Sequence, residues 1–191
     1  HLSNSRQALL YFYGDVYEGL KAVDFDSLDF EYAQNHIRII SGLYGVLRPL
    51  DLIQPYRLEM GASFKVDNKI SLYDFWRNDV AAFLSQELGN NGRIVNLASN
   101  EYYRVIDKRL GEKVLHIEFR ENKPEGLKVI PIFSKRARGL MARFAVKNKI
   151  VNVDDLKLFD YENYMFYEPY RPLIYGFLFD EFRIGIDQFS I

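Results

Sequence analysis

Apolar residues recur every three or four positions in several stretches of the chain, and this spacing predicts α-helices. The longest stretch follows Ser71, which is placed to cap a first helical turn, and runs to about Leu88, before Gly89. The other helical patterns are shorter. They cover residues 15–20, residues 27–37 with a cap at 26 or 27, the stretch after Ser99, and residues 134–148.

Short apolar runs and alternating patterns predict β-strands between these helices. Residues 114–119 alternate apolar and polar side chains, and residues 127–133 return after a turn as the hairpin partner. Because proline cannot donate a hydrogen bond to a sheet, Pro131 places that partner at an edge or a bulge. Further strands are predicted at residues 8–13, around 37–39, at 93–97 and in the aromatic tail after 152, with a hairpin turn at 67–68.

Together these elements predict an α+β fold in which helices pack on a mixed sheet. The chain has 191 residues, of which 48% are hydrophobic, so it is long and apolar enough to bury a substantial core. No repeat, low-complexity stretch or linker divides it. We expect one compact domain over residues 1–191, without the pattern of a common superfold.

The net charge and the lack of cysteine narrow the functional classes. A formal net charge of -1 gives no global reason to expect nucleic-acid binding, so a local basic patch would have to supply it. The absence of cysteine excludes disulfides, thiolate metal ligands and cysteine nucleophiles. No apolar run approaches the length of a membrane span and no signal-peptide pattern opens the chain, so we expect a cytoplasmic protein without membrane contact.

Charged side chains interrupt the apolar stretch at residues 39–61. They include Arg48, Asp51, Arg57 and Glu59, and the burial of such groups is costly unless they are paired. One interpretation is a structural network in which Arg48 pairs with Asp51 and Arg57 pairs with Glu59. The other is the wall of an anion site, because the planar fork of an arginine fits phosphate or carboxylate.

The predicted turn between the strand at 93–97 and the next helix is a second candidate site. Asn96, Ser99, Glu101 and Tyr102 lie there. Backbone amides at a helix start attract anions, and ligands gather at the carboxyl ends of strands in open α/β sheets. Alternatively, Ser99 only caps the helix and Glu101 only complements its dipole.

A basic helix is predicted at residues 134–148, where Lys135, Arg136, Arg138 and Arg143 occur and no acidic residue does. Cations near a helix start oppose the helix dipole unless an anion is present. The pattern therefore favours an anion site, with a solvated basic face as the alternative.

Known catalytic and cofactor signatures are missing from the sequence. There is no nucleophile elbow, dinucleotide fingerprint or P-loop. The histidines at positions 1, 36 and 116 have no carboxylate beside them at metal-ligand spacing. We therefore predict no cofactor and no metal site, and whether the protein is an enzyme stays open.

Four segments of the chain, taken together in this order, are specific enough to indicate a protein family. They are SGLYGVLRPLDLIQPYRLEMG at 41–61, LYDFW at 72–76, NLASNEYY at 96–103 and SKRARGLMARF at 134–144. Their identity and order resemble the YaaA family of bacterial peroxide-stress proteins, over residues 6–166. Members of that family carry a further N-terminal segment with a Ser-Pro-Ala-Lys-Thr-like motif, and we expect this chain to lack it.

The resemblance implies a fold unlike the common superfolds and a role in limiting oxidative damage and free iron during peroxide stress. It also implies DNA binding through a positively charged cleft. A helix-hairpin-helix element of the family is expected in the N-terminal part.

Our leading hypothesis is a cytoplasmic stress protein whose basic cleft binds the backbone of duplex or unpaired DNA without regard to sequence. The alternative is an enzyme that acts on a small phosphorylated or carboxylated molecule, with Glu59 or Glu101 as acid or base. An iron-handling protein ranks third. The residues predicted to bind the anion are Arg48, Arg57, Asn96, Ser99, Lys135, Arg136, Arg138 and Arg143.

Overall fold

The helices and strands come from a computed structural model that describes residues 2–63, 71–106, 108–168 and 174–179. Its α-helices are Ala8–Tyr11 (α1), Asp15–Leu20 (α2), Ser27–His36 (α3), Leu72–Leu88 (α4), Asn100–Tyr103 (α5) and Pro131–Lys147 (α6). Its β-strands are Arg6–Gln7 (β1), Ile39–Ser41 (β2), Gly45–Leu47 (β3), Leu52–Ile53 (β4), Ile94–Asn96 (β5), Val114–Lys123 (β6), Gly126–Lys128 (β7), Tyr164–Tyr167 (β8) and Ile174–Phe179 (β9). The predicted hairpin turn at 67–68 lies outside the described residues.

The main sheet is mixed, and its strand order is β5-β6-β9-β8. Strand β6 runs parallel to both β5 and β9, while β8 is antiparallel to β9 and β7 pairs with the end of β6. Two short antiparallel pairs, β1 with β4 and β2 with β3, lie apart from this sheet. The α+β prediction with a mixed sheet is confirmed.

Helix α6 covers the main sheet with its apolar stripe. Ala137, Leu140, Met141 and Phe144 are buried in one cluster with side chains of β6 and β9. A second cluster joins α1, α2, α3 and the β2–β3 pair, and a third surrounds α4. Because α6 contributes to the first cluster and its Val146 to the second, this helix connects the sheet to the N-terminal helices.

Two glycines let α2 and α6 cross in close contact. A side-chain Cβ on Gly139 would lie 1.9 Å from the carbonyl oxygen of Val16, and one on Gly19 would lie 2.4 Å from that of Arg136. Such distances exclude any side chain at either position. The close backbone contact at Gly139 is therefore with α2.

Caps fix the starts of two helices as predicted. Asp26 accepts a hydrogen bond from the Asp29 backbone amide at 2.8 Å and begins α3. Ser71 accepts one from Asp74 at 3.2 Å and begins α4, which ends at Leu88 before Gly89. These short-range signals lie within a single turn and need no tertiary contact to act.

Two strand predictions are wrong. Residues 8–11 form helix α1, whose first amides donate to the carbonyls of Asp51 and Pro49 at 2.9 Å. A short apolar run suits a strand or a buried helix equally, and here the 49–51 loop supplies partners for helical amides. The second error is at 131–133, where Pro131 begins α6 instead of continuing a strand, because the first helical position needs no amide donor.

Candidate anion-binding cavity

A cavity of about 960 Å³ lies where the three apolar clusters meet. Its walls come from α2, α6, the end of α4, β5 with the turn after it, and the extended segment around Tyr56. Most lining side chains are aliphatic or aromatic. The polar groups among them are therefore the part of the wall that can select a ligand.

Two cations from the basic helix line this cavity. Lys135 and Arg138 are three residues apart in α6, so they lie on the same side of the helix. Within the described parts of the chain, neither makes a hydrogen bond or an ion pair. Burial lowers the pKa of Arg138 below its ordinary value, because removal from water disfavours the charged form. A desolvated cation without an anion is the arrangement that a bound anion would complete.

The turn after β5 adds polar groups to the same cavity. Ser99 begins α5, but its side chain makes no capping hydrogen bond. Asn96 accepts a hydrogen bond from the Ala98 amide at 3.0 Å, and its Nδ2 lies 3.3 Å from Nδ1 of His116. Asn96 therefore stabilises the turn. The Ser99 side chain makes no capping hydrogen bond and lines the cavity. Helix α5 has only four residues, so its dipole adds little.

Aromatic side chains form another part of the wall, which we call the aromatic corner and define as Phe12, Tyr17 and Tyr56. The ring of Phe12 stacks on Tyr17 with centroids 5.5 Å apart and meets Tyr56 edge to face at 6.1 Å. Burial raises the pKa of both phenols, so each keeps its proton at neutral pH.

Glu87 in the cavity wall is neutralised by two arginines. It pairs with Arg38 and, at 2.6 Å, with Arg48. Hydrogen bonding from Arg38, followed by that from Arg48, holds the pKa of Glu87 below its usual value. The predicted pairing of the Arg48 side chain with Asp51 is replaced by this contact, and Asp51 instead accepts from the Arg48 backbone amide at 2.7 Å.

The remaining predicted site residues do not line the cavity. Arg57 pairs with Glu59 at 3.4 Å, as the structural interpretation predicted, and its side chain is 88% exposed. In α6, Arg136 binds Glu162 and Arg143 binds Asp24, at 2.5 and 2.6 Å. Glu101 accepts a hydrogen bond from the Gly61 amide at 3.0 Å. The structure thus brings together Asn96, Ser99, Lys135 and Arg138 and leaves out Arg48, Arg57, Arg136, Arg143, Glu59 and Glu101.

Sequence reasoning missed the aromatic corner and Glu87. Tyr56 lies in the 39–61 stretch, where the charged residues carry the signal for an anion site. Tyr17 lies in a six-residue helix with no distinctive spacing. Neither residue carries a local signal that separates a cavity phenol from a core aromatic, because the difference depends on which distant elements pack beside it.

The described residues contain neither a metal-binding group of side chains nor a helix that could span a membrane. Over residues 2–63, 71–106, 108–168 and 174–179, no group of three or more histidine, aspartate or glutamate side chains is arranged to hold a metal ion. Over the same residues, no helix has the length and apolar character needed to cross a membrane.

Fold and site define an α+β protein with a largely aliphatic and aromatic cavity beside a mixed sheet. A sequence profile described as "Peroxide stress protein YaaA" matches residues 1–169. The chain therefore belongs to the peroxide stress protein YaaA family, which confirms the resemblance.

Individual relatives carry the family name UPF0246. A UPF0246 protein of Acaryochloris marina is 50% identical over 168 residues, covering 87% of this chain and 66% of the relative. One of Francisella tularensis subsp. novicida is 48% identical over 167 residues, covering 86% and 65%. One of Francisella philomiragia is 48% identical over 166 residues, covering 85% and 65%. The chain spans 65% to 66% of the length of these relatives.

Proposed function

We propose that this protein acts in the cytoplasmic response to peroxide stress by binding phosphate groups of DNA through Lys135 and Arg138. Membership of a family named for peroxide stress supports the stress role. The observation that carries the binding proposal is the pair of cavity cations, which have no carboxylate partner in the described parts of the chain.

The chemistry of the cavity suits a phosphate. An arginine guanidinium offers parallel donors to two phosphate oxygens, and a lysine ammonium adds a point charge. Ser99 lines the same cavity, and its hydroxyl, which makes no capping hydrogen bond, can donate to a third oxygen. Backbone phosphates are the same in every nucleotide, so binding would be independent of sequence.

Charge pairing limits how many of the predicted cations are available to a phosphate. Of the six cations that the sequence predicted for anion binding, those other than Lys135 and Arg138 are paired with carboxylates. A paired cation releases fewer counterions when DNA binds. We therefore expect about two phosphate contacts instead of about six.

The salt dependence of DNA binding tests this proposal. Each phosphate contact contributes about -0.9 to the slope of log K against log salt concentration, so two contacts predict a slope of about -2 for duplex DNA and six predict about -5. The measurement is fluorescence anisotropy of a labelled duplex over a range of salt concentrations. No binding at low salt, or binding without a salt slope, contradicts the proposal.

A small anionic ligand is the second candidate, and the volume of the cavity favours it. The cavity volume of about 960 Å³ is at the upper end of the range for small-molecule sites, about 300–1,000 Å³. Glu59 and Glu101 lie outside the lining, so this candidate rests on binding and not on those two carboxylates as acid or base. Binding of such a ligand would respond only weakly to salt.

A further inference from the structure

The hydroxyl of Ser41 fixes the direction of a hydrogen bond at the aromatic corner. Its Oγ accepts from the amides of Leu43 and Tyr44 at 3.2 and 3.1 Å. A hydroxyl oxygen has two lone pairs, and these amides use both. The remaining contact of Ser41, 2.6 Å to the Tyr56 hydroxyl, must therefore be donated by Ser41.

With Ser41 as the donor, the proton of Tyr56 has no acceptor among the residues that the structure describes. Tyr56 accepts from Ser41, so its own O–H donates elsewhere, and its ring lines the cavity. Tyr17 also lines the cavity, and its hydroxyl has no hydrogen-bond partner among the residues that the structure describes.

Two tyrosines with available phenol donors therefore line the cavity beside the ring of Phe12. Burial raises the pKa of Tyr17 and Tyr56, which keeps both groups protonated and able to donate. The rings of both tyrosines contact Phe12. A flat group that carries acceptor atoms at its edge could lie against these rings and accept from the hydroxyls.

We propose that the cavity binds a whole nucleotide, with its phosphate on Lys135 and Arg138 and its base in the aromatic corner. Tyr17 and Tyr56 donate to acceptor oxygens or nitrogens on the edge of the base. This inference rests on the proposed function, since the same cations hold the phosphate.

The position of α2 against α6 supports a single ligand spanning both parts. The carbonyl of Val16 lies against Gly139, so Tyr17 and Arg138 are the chain neighbours of two residues in contact. Both side chains line one cavity, whose volume of about 960 Å³ far exceeds the space that a phosphate alone would fill. The nucleotide is either free or unstacked from a strand, and the chemistry of recognition is the same in both cases.

Paired ligands with and without a base test the inference. Thymidine monophosphate is compared with 2-deoxyribose 5-phosphate, and an oligothymidine strand with an abasic strand of equal length, by calorimetry at low salt. We expect the base to improve affinity about ten-fold or more in at least one pair. A preference in the first pair identifies a free nucleotide, and a preference confined to the second identifies an unstacked one.

Variants separate the base subsite from the phosphate subsite. Tyr56→Phe and Tyr17→Phe keep ring shape and should each remove most of the preference for the base while leaving affinity for the abasic ligands unchanged. Tyr44→Phe is the matched control, because its hydroxyl accepts from the Gln54 amide outside the cavity and it should leave the preference intact.

Equal affinity for base-containing and abasic ligands overturns the inference and leaves the proposed function standing. A base preference that survives both tyrosine substitutions also overturns it. If no ligand of either kind binds, the proposed function fails together with the inference.

Discussion

At the scale of single residues, the cations of α6 differ in what they contact. Lys147 and, from the following turn, Lys149 both bind Asp29 at 2.5 Å, and the Asp29 side chain is only 3% exposed. Lys135 and Arg138 line the cavity without such a partner in the described chain. Helix α6 thus carries cations that pair with carboxylates and cations that have no such partner in the described chain.

Asp29→Asn should destabilise the protein by about 2 kcal/mol at neutral pH, because hydrogen bonds to a charged group contribute about 1.5–3 kcal/mol. Burial raises the pKa of Asp29, but hydrogen bonds from Lys147 and Lys149 and from the Asp26 amide lower it well below its ordinary value. The folded state therefore favours the ionised form. Its contribution is complete above the unfolded pKa of about 3.9 and is lost as pH falls through the folded pKa.

Urea unfolding of the wild-type protein and the Asp29→Asn variant across pH measures this effect. The difference in unfolding free energy should be constant from about pH 7 to pH 5 and shrink below about pH 4. Asp24→Asn is the control, because Asp24 is 37% exposed and its loss should cost at most about 1 kcal/mol. A difference for Asp29→Asn that grows on acidification would contradict this account.

At the scale of elements, the crossing of α2 and α6 positions the site. Both helices were predicted from sequence, since capping and periodicity act within a few residues. The contact between the two helices was not predicted, because it depends on Gly19 and Gly139, which lie far apart in the chain. Residues 8–11 show the same limit. Their local pattern allowed a strand, but they form a helix whose first amides donate to carbonyls of the 49–51 loop.

Gly139→Ala should destabilise the protein, because the new methyl group would overlap the Val16 carbonyl. Overpacking costs about 1–3 kcal/mol, and the gain of alanine over glycine in a helix offsets only about 1 kcal/mol. Gly111→Ala is the matched control, since nothing lies within 4 Å of a Cβ there. Thermal and urea unfolding of both variants test the crossing, and equal stability of Gly139→Ala and the wild-type protein would show that α2 can move away at no cost.

At the scale of the whole molecule, the cavity arises where separate clusters meet. The sequence indicated that the basic helix and the turn after β5 could share a site, and the structure brings Lys135, Arg138, Asn96 and Ser99 to one cavity. The sequence could not show that Glu162 and Asp24 neutralise Arg136 and Arg143. These carboxylates lie 26 and 119 residues away from the arginines along the chain. In our proposal the predicted basic cleft is therefore narrowed to Lys135 and Arg138, the two of its predicted cations that have no carboxylate partner in the described parts of the chain.

The most direct test of this account compares DNA affinity of Arg138→Ala with that of Arg136→Ala, measured by anisotropy at low salt. Both variants remove one arginine from the same helix, but only Arg138 lines the cavity, while Arg136 is paired with Glu162. We predict that Arg138→Ala weakens binding about ten-fold or more and that Arg136→Ala changes it by less than about two-fold. Equal losses in the two variants, or unchanged binding by Arg138→Ala, would contradict the account.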